Sequence, residues 1–315
     1  MQSWQTDMLN IGLRMTLKPA VGMVSSLKYL RLVFGTVDRI MRVAVPRDLK
    51  RTTVDIPGSA FETEWLDVPE TKQERVILYL PGGGYIMRTP NLHAAMVTKL
   101  CRASNARALM VYYRLAPEHP FPASLDDAVS AYQWLLAQGT PPENIIIAGD
   151  SAGGGLTLAS LISLRDAGVP MPAGAIMISP VTDVDDDSPS RWKNAGADSL
   201  LPRPGGRAIN NRDLYVGKNN PKDPRISPIH GDLTGLPPLY LQVSDAELVL
   251  DDSLRVARKG HIYNVDVKVD IWRKVPHVWV AFSFLPESRD AINKAAAFIK
   301  KKIPIGQRVD RAAES

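Results

Sequence analysis

The sequence predicts an α/β fold built on a mostly parallel sheet with helices on both faces. Two observations predict it. From residue 51 onward, short apolar runs at 76–80, 108–113, 144–148, 174–178 and 239–243 alternate with longer helix-like stretches at 124–137, 153–166 and 248–259. The apolar runs are also continuous rather than alternating, as strands buried on both faces require. A later run, 265–272, places Val265, Val267, Val269 and Ile271 between polar residues, so it reads as a less buried strand. A last helix is expected over 288–302.

The first 50 residues have a different texture. Met8, Ile11 and Met15 recur at helical spacing, as do Leu9, Leu13 and Leu17, and then Met23, Leu27, Leu30 and Val33. Pro19 and Pro46 punctuate this segment. It can cover an active-site cleft or lie on a membrane surface, and the cover is the preferred reading. Trp4, Met8, Tyr85 and residues 190–215 are candidates for lining a substrate pocket.

The 315 residues are 45% apolar and 23% charged, which suits a globular protein with a sizeable core. The single cysteine, Cys101, leaves no internal disulfide framework, and with no secretory leader or 18-residue apolar run the expected location is cytoplasmic. A net charge of +5 is compatible with anionic partners, but Lys and Arg are spread along the chain, and Lys300–Lys302 sit where a helix C-terminus favours cations. Nucleic acid is not expected as a partner.

Gly149-Asp150-Ser151-Ala152-Gly153 follows one buried run and opens a helix-like one. That is the strand–turn–helix setting of a G-x-S-x-G nucleophile elbow. The serine must sit in a strained turn with its hydroxyl exposed, and side chains two positions before and two after would collide there, so both of those positions are glycine. A second glycine cluster, Gly82-Gly83-Gly84, ends the run at 76–80. Its bare backbone N–H groups can donate to an oxyanion, with the N–H of Ala152 as a further donor. No Lys-Ser/Thr follows, which excludes a P-loop.

A serine nucleophile needs a base and an acid to orient it, in the order Ser, Asp or Glu, His. Three of the five histidines follow Ser151, namely His230, His261 and His277. His277 comes just after the last expected strand, where the base belongs. For the acid, Asp245 and Glu247 both follow the run at 239–243, and spacing alone leaves the choice open.

Together these residues resemble the bacterial hormone-sensitive-lipase-like branch of the α/β-hydrolases over about residues 75–300. The resemblance rests on Gly82–Gly84, on Tyr113-Arg114-Leu115-Ala116-Pro117-Glu118-His119-Pro120-Phe121-Pro122-Ala123, on the elbow, and on Ser179-Pro180. Leu236-Pro237-Pro238, Glu247-Leu248 with Asp251-Asp252, and Pro276-His277 complete it. It implies an eight-stranded, mostly parallel sheet with an N-terminal helical cap at 1–50, completed by about 185–215, over a catalytic domain at 51–315. It implies hydrolysis of small-molecule carboxylic esters with short to medium acyl chains, without metal or cofactor. The family's acid stands four before an Asp, which selects Glu247, four before Asp251. Its oxyanion donors correspond to Gly83, Gly84 and Ala152. Where the family has His before the glycines, this chain has Pro81. Non-catalytic relatives, a lactonase or an amidase are the alternatives that the resemblance leaves open. It also implies possible homodimers through 265–272. Arg114, Glu118 and Asp126 or Asp127 read as a structural charge network near the elbow.

Overall fold

The computed structural model describes residues 2–185, 188–205 and 208–305. Helices α1 (Trp4–Met15), α2 (Leu17–Met23) and α3 (Leu27–Met41) lead into β1 (Lys50–Val54), β2 (Glu62–Asp67) and β3 (Val76–Leu80). Then come α4 (Pro90–Ser104), β4 (Arg107–Tyr112), α5 (Ala123–Ala137), β5 (Ile145–Asp150), α6 (Ala152–Asp166) and β6 (Gly174–Ile178). Two short helices, α7 (Pro189–Lys193) and α8 (Asn211–Val216), precede β7 (Leu239–Ser244), α9 (Leu250–Ile262), β8 (Val267–Trp272) and α10 (Pro286–Lys302).

The strands form one eight-stranded sheet in the order β1-β2-β4-β3-β5-β6-β7-β8. β2 runs antiparallel to both β1 and β4, and every other pairing is parallel. The fold expected from the sequence is therefore the one observed. Two strands, β1 and β2, escape the apolar-run criterion. β1 is exposed along nearly its whole length, and β2 carries Glu62 and Glu64, the latter buried against Arg51 at 2.7 Å.

Alternate residues of the central strands feed two cores. Val76, Leu78 and Leu80 join Leu125, Ala128, Leu156 and Leu161 of α5 and α6 on one face. Ile77 and Tyr79 join Val97 and Leu100 of α4 with Ile292, Ala295 and Ile299 of α10 on the other. Burial on both faces explains why these strands carry few polar residues.

Register fixes the site. Leu80 pairs with Gly149, Asp150 with Ile178, Ile178 with Gln242, and Ser244 with Trp272. The carboxyl ends of β3, β5, β6, β7 and β8 thus finish along one edge of the sheet. The loops that leave them emerge side by side, the usual place for a ligand in an open parallel sheet. No helix of the described residues is long and apolar enough to cross a membrane.

Candidate active site

Ser151 stands between β5 and α6 with φ 52° and ψ −121°, a conformation that L-residues rarely adopt. It is held there by its own backbone, since its N–H donates to Ile178 O at 2.8 Å and its carbonyl accepts from Val181 and Gly154, both at 3.0 Å. The flanking glycines are required by contact. A Cβ on Gly153 would lie 1.9 Å from Leu80 O, and one on Gly149 would lie 2.4 Å from Gly153 O. The sequence suggests that the two flanking positions crowd each other; for Gly153 the tighter neighbour is the end of β3.

His277 lies in the loop after β8, buried, with Nε2 2.9 Å from Ser151 Oγ and Nδ1 3.1 Å from Glu247 Oε1. Glu247 follows β7 and is buried completely. Its Oε2 accepts the Ser244 N–H at 2.9 Å, while Oε1 accepts the Ser179 hydroxyl at 2.6 Å. Asp245 points elsewhere. It is exposed, and its Oδ1 accepts the Lys274 N–H at 2.7 Å. The two acids that spacing leaves unresolved thus occupy different environments, and Glu247 is the one that meets the histidine.

Burial alone would lower the His277 pKa by penalising the imidazolium. The hydrogen bond and charge of Glu247, with smaller contributions from Asp198 and Asp150, outweigh that and hold it above the ordinary histidine value. The array can therefore draw a proton from the serine hydroxyl and stabilise the resulting cation.

Ser179 is a residue to which the sequence pattern assigns no role. It follows β6 with φ 48°, is fully buried, donates to Glu247, and accepts the Val278 N–H at 3.2 Å. It ties the acid's side chain to the residue after the base. Its signals in the sequence are the Ser179-Pro180 pair, to which no role attaches, and the placing of a polar residue directly after a buried apolar strand.

The glycine loop leaves β3 beside the elbow. Among the described residues, no protein acceptor takes the N–H groups of Gly83, Gly84 or Ala152. The loop is braced from below. The Tyr113 hydroxyl donates to Pro81 O at 2.6 Å, and the Asp150 carboxylate accepts from the Tyr79 hydroxyl at 2.8 Å and from the Gly82 N–H at 3.1 Å. His93 of α4 stands 3.2 Å from the same carboxylate. Both partners are buried. Burial opposes each charge, but their mutual attraction dominates, raising the His93 pKa and lowering that of Asp150. A buried histidine–carboxylate pair thus lies beneath the loop that carries Pro81.

The other expectations divide. Arg114 pairs with Asp127 at 2.7 Å, as a structural network requires. Glu118 pairs instead with Arg31 of α3 at 2.6 Å, so it fastens the N-terminal segment to the loop after β4. Tyr85 is buried under the glycine loop, stacked on Tyr215 of α8 with centroids 3.7 Å apart. Trp4 and Met8 stand exposed on α1. His230 accompanies Asp183 at 3.4 Å, and His261 is exposed on α9. Asp251 and Asp252 open α9, where they accept from the backbone N–H groups of Ser190 and Thr182 respectively.

The chain matches the model of a family described as alpha/beta hydrolase fold over residues 77–281. It is 41% identical over 238 residues to an acetyl-hydrolase from Streptomyces hygroscopicus, covering 75% of this chain and 79% of that one. It is 33% identical over 297 residues to the carboxylesterase/phospholipase LipF of Mycobacterium tuberculosis, covering 91% and 79%. Among solved structures, an esterase of the bacterial hormone-sensitive lipase family superposes with a TM-score of 0.89 at 36% identity, covering 96% of this chain and 99% of that one. The esterase EstE5, soaked with p-nitrophenyl butyrate, gives 0.86 at 39%, covering 95% and 99%.

Proposed function

The chain belongs to the alpha/beta-hydrolase fold family, and on that premise we propose that it is a serine carboxylesterase acting on short- to medium-chain esters through an acyl-enzyme. The observation that carries this reading is the continuous line from Ser151 Oγ through His277 to the buried Glu247, with distances of 2.9 and 3.1 Å.

In this mechanism Ser151 Oγ bonds to the ester carbonyl carbon while His277 Nε2 takes its proton. Glu247 holds the Nδ1–H tautomer and offsets the imidazolium charge. The N–H groups of Gly83, Gly84 and Ala152 receive the oxyanion. Collapse breaks the bond to the leaving alcohol, which takes the proton from His277. Water then attacks the acyl-enzyme by the same route, restoring Ser151 and releasing the carboxylic acid. Pro81 substitutes for the family's histidine by fixing its own φ, and the bonds to Pro81 O and Gly82 N–H below it support that role.

Residues 1–50 form the cap over a catalytic domain of 51–315. The Arg14 and Lys18 side chains bond to the carbonyls of Ala197 and Ala195, and Ser199 bonds to Asn10, which supports including the segment at about 185–215. Of that segment, 186–187 and 206–207 lie outside the described residues.

Hydrolysis of a p-nitrophenyl ester series from acetate to palmitate tests the proposal, with Ser151→Ala alongside and a lactone and an amide as comparison substrates. Activity that peaks at short to medium chains and disappears in Ser151→Ala is the expected result. A folded wild type no faster than the mutant on every ester would overturn the esterase reading and favour a non-catalytic binder. A marked preference for the lactone or the amide would move the substrate class.

A further inference from the structure

Helix α1 turns an apolar stripe away from the protein. Its buried positions are Thr6, Asn10 and Leu13, the first two polar. Ser3 at its N-cap and Thr6 both donate to the Glu287 carboxylate, and Asn10 donates to Lys274 O at 2.8 Å while accepting from Ser199. Four of its outward positions are large and apolar: Trp4, Met8, Ile11 and Met15 are 71%, 61%, 52% and 76% exposed. At about 100° per residue these four fall within an arc of roughly 60°, a single stripe along the helix. A helix that turns a mixed face of Thr6, Leu9, Asn10 and Leu13 to the protein and a continuous stripe of large apolar side chains outward is shaped for contact with something apolar.

The charge of the same segment says what that is. Residues 1–50 hold eight Lys and Arg against three Asp, so the chain's whole excess of +5 lies there and the remainder is neutral. All three Asp are occupied, since Asp7 accepts the Gln2 amide, Asp38 accepts the Asn91 and Leu92 N–H groups, and Asp48 pairs with Arg102. On α3 the exposed residues are Lys28, Tyr29, Leu32, Thr36, Arg39 and Ile40. They share an arc of roughly 120° that mixes cations with apolar side chains. Arg42 and Val43 extend that mixture, and Val43 is 90% exposed.

We propose that the N-terminal segment is a peripheral docking surface for anionic lipid. The α1 stripe enters the acyl boundary, and the exposed cations meet the headgroups. Trp4, with an apolar ring and one N–H, is the side-chain type that settles at headgroup depth. A second copy of the chain is the poorer occupant, because it would bring the same cations against these. The surface also borders the proposed active site. Asn10 grips the loop three residues before His277, and Arg31 of α3 bonds to Ile86 O at 2.7 Å, two residues past Gly84.

The test is co-sedimentation of the full-length protein with vesicles of phosphatidylcholine, with and without one third phosphatidylglycerol. Binding should be at least about 10-fold stronger to the anionic vesicles, and should weaken about fivefold for each cation removed in Lys28→Gln and Arg39→Gln. It should fall when salt is raised to about 0.5 M. Ile11→Glu with Met15→Glu should abolish binding while leaving the thermal midpoint and the hydrolysis of a soluble acetate ester unchanged. Absence of binding at low salt overturns the proposal, whatever these substitutions do to ester hydrolysis. So does equal binding to both vesicle types. So does a dimer in vesicle-free solution that Ile11→Glu with Met15→Glu dissociates. None of these readouts depends on Ser151 chemistry, so failure here is distinguishable from failure of the esterase reading.

Discussion

Replacing Glu247 by Gln removes one charge and keeps the shape, and the donors around the carboxylate determine the outcome. Glu247 Oε1 receives the Ser179 hydroxyl and His277 Nδ1, while Oε2 receives the Ser244 N–H. A glutamine has one oxygen to offer. With that oxygen toward His277, its NH2 faces the Ser244 N–H, donor against donor, in a site closed to water. With the amide reversed, Ser244 is satisfied and Ser179 can accept, but the NH2 now donates to Nδ1. His277 then carries its proton on Nε2, facing Ser151, and cannot act as base. Leaving a buried N–H unpaired costs about 1–3 kcal/mol, so the unproductive orientation dominates by that margin. Loss of the charged partner for the imidazolium removes about 1.5–3 kcal/mol more. Together they predict a fall in kcat/KM of about 10²–10⁴-fold. Because Glu247 holds the His277 pKa up against burial, the acid limb of the pH–rate profile should also move to lower pH in the variant. The assay is kcat/KM on a butyrate ester across the pH range, with thermal melts to verify folding and Asp245→Asn as the control. A Glu247→Gln enzyme within threefold of wild type, or an Asp245→Asn enzyme that loses more, would refute the assignment.

Two further perturbations address the frame around the site. Gly153→Ala puts a Cβ against the backbone of Leu80, which cannot swing aside as a side chain would; destabilisation of about 3 kcal/mol or more should appear as a large fall in thermal midpoint, and an unchanged melt would show that the elbow has slack. Asp150→Asn removes the buried partner of His93. The depressed Asp150 pKa contributes stability above about pH 3.9 that is lost as pH falls through its folded value. The raised His93 pKa contributes stability below about pH 6.5 that is lost as pH rises through its own folded value. The difference in thermal midpoint between wild type and variant should therefore be greatest between about pH 4 and 6.5; a difference that is flat with pH would mean that the pair is not charged.

The parts legible in the sequence are those whose physics is local or one-dimensional. Central strands such as Val76–Leu80 and Gly174–Ile178 show as unbroken apolar runs because both faces are covered. The elbow shows because only glycine fits two positions before and two after Ser151. β1 does not show, because an exposed antiparallel edge places few demands on residue type, and β2 does not show, because Glu64 breaks its apolar run and is buried by virtue of Arg51 and Tyr112. α1 misleads in an instructive way. Its two apolar stripes both have helical spacing, but periodicity says nothing about which one faces the protein, and the buried side is settled by Glu287, Lys274 and Ser199 from distant parts of the chain. Asp245 and Glu247 are inseparable in the sequence for the same reason. Two residues apart after a strand, they differ only in where the turn aims them.

Ser151 and His277 are 126 residues apart in the chain, and Ser179 reaches across 68 to Glu247 and 99 to Val278. Groups so distant can meet only after β8 has closed on β7 and β7 on β6, contacts whose loop-closure cost delays them relative to local helices. Ester turnover is thus a reporter of completed folding. In a refolding experiment it should return after helical circular dichroism, and a chain truncated before β8 should be silent however much helix it retains.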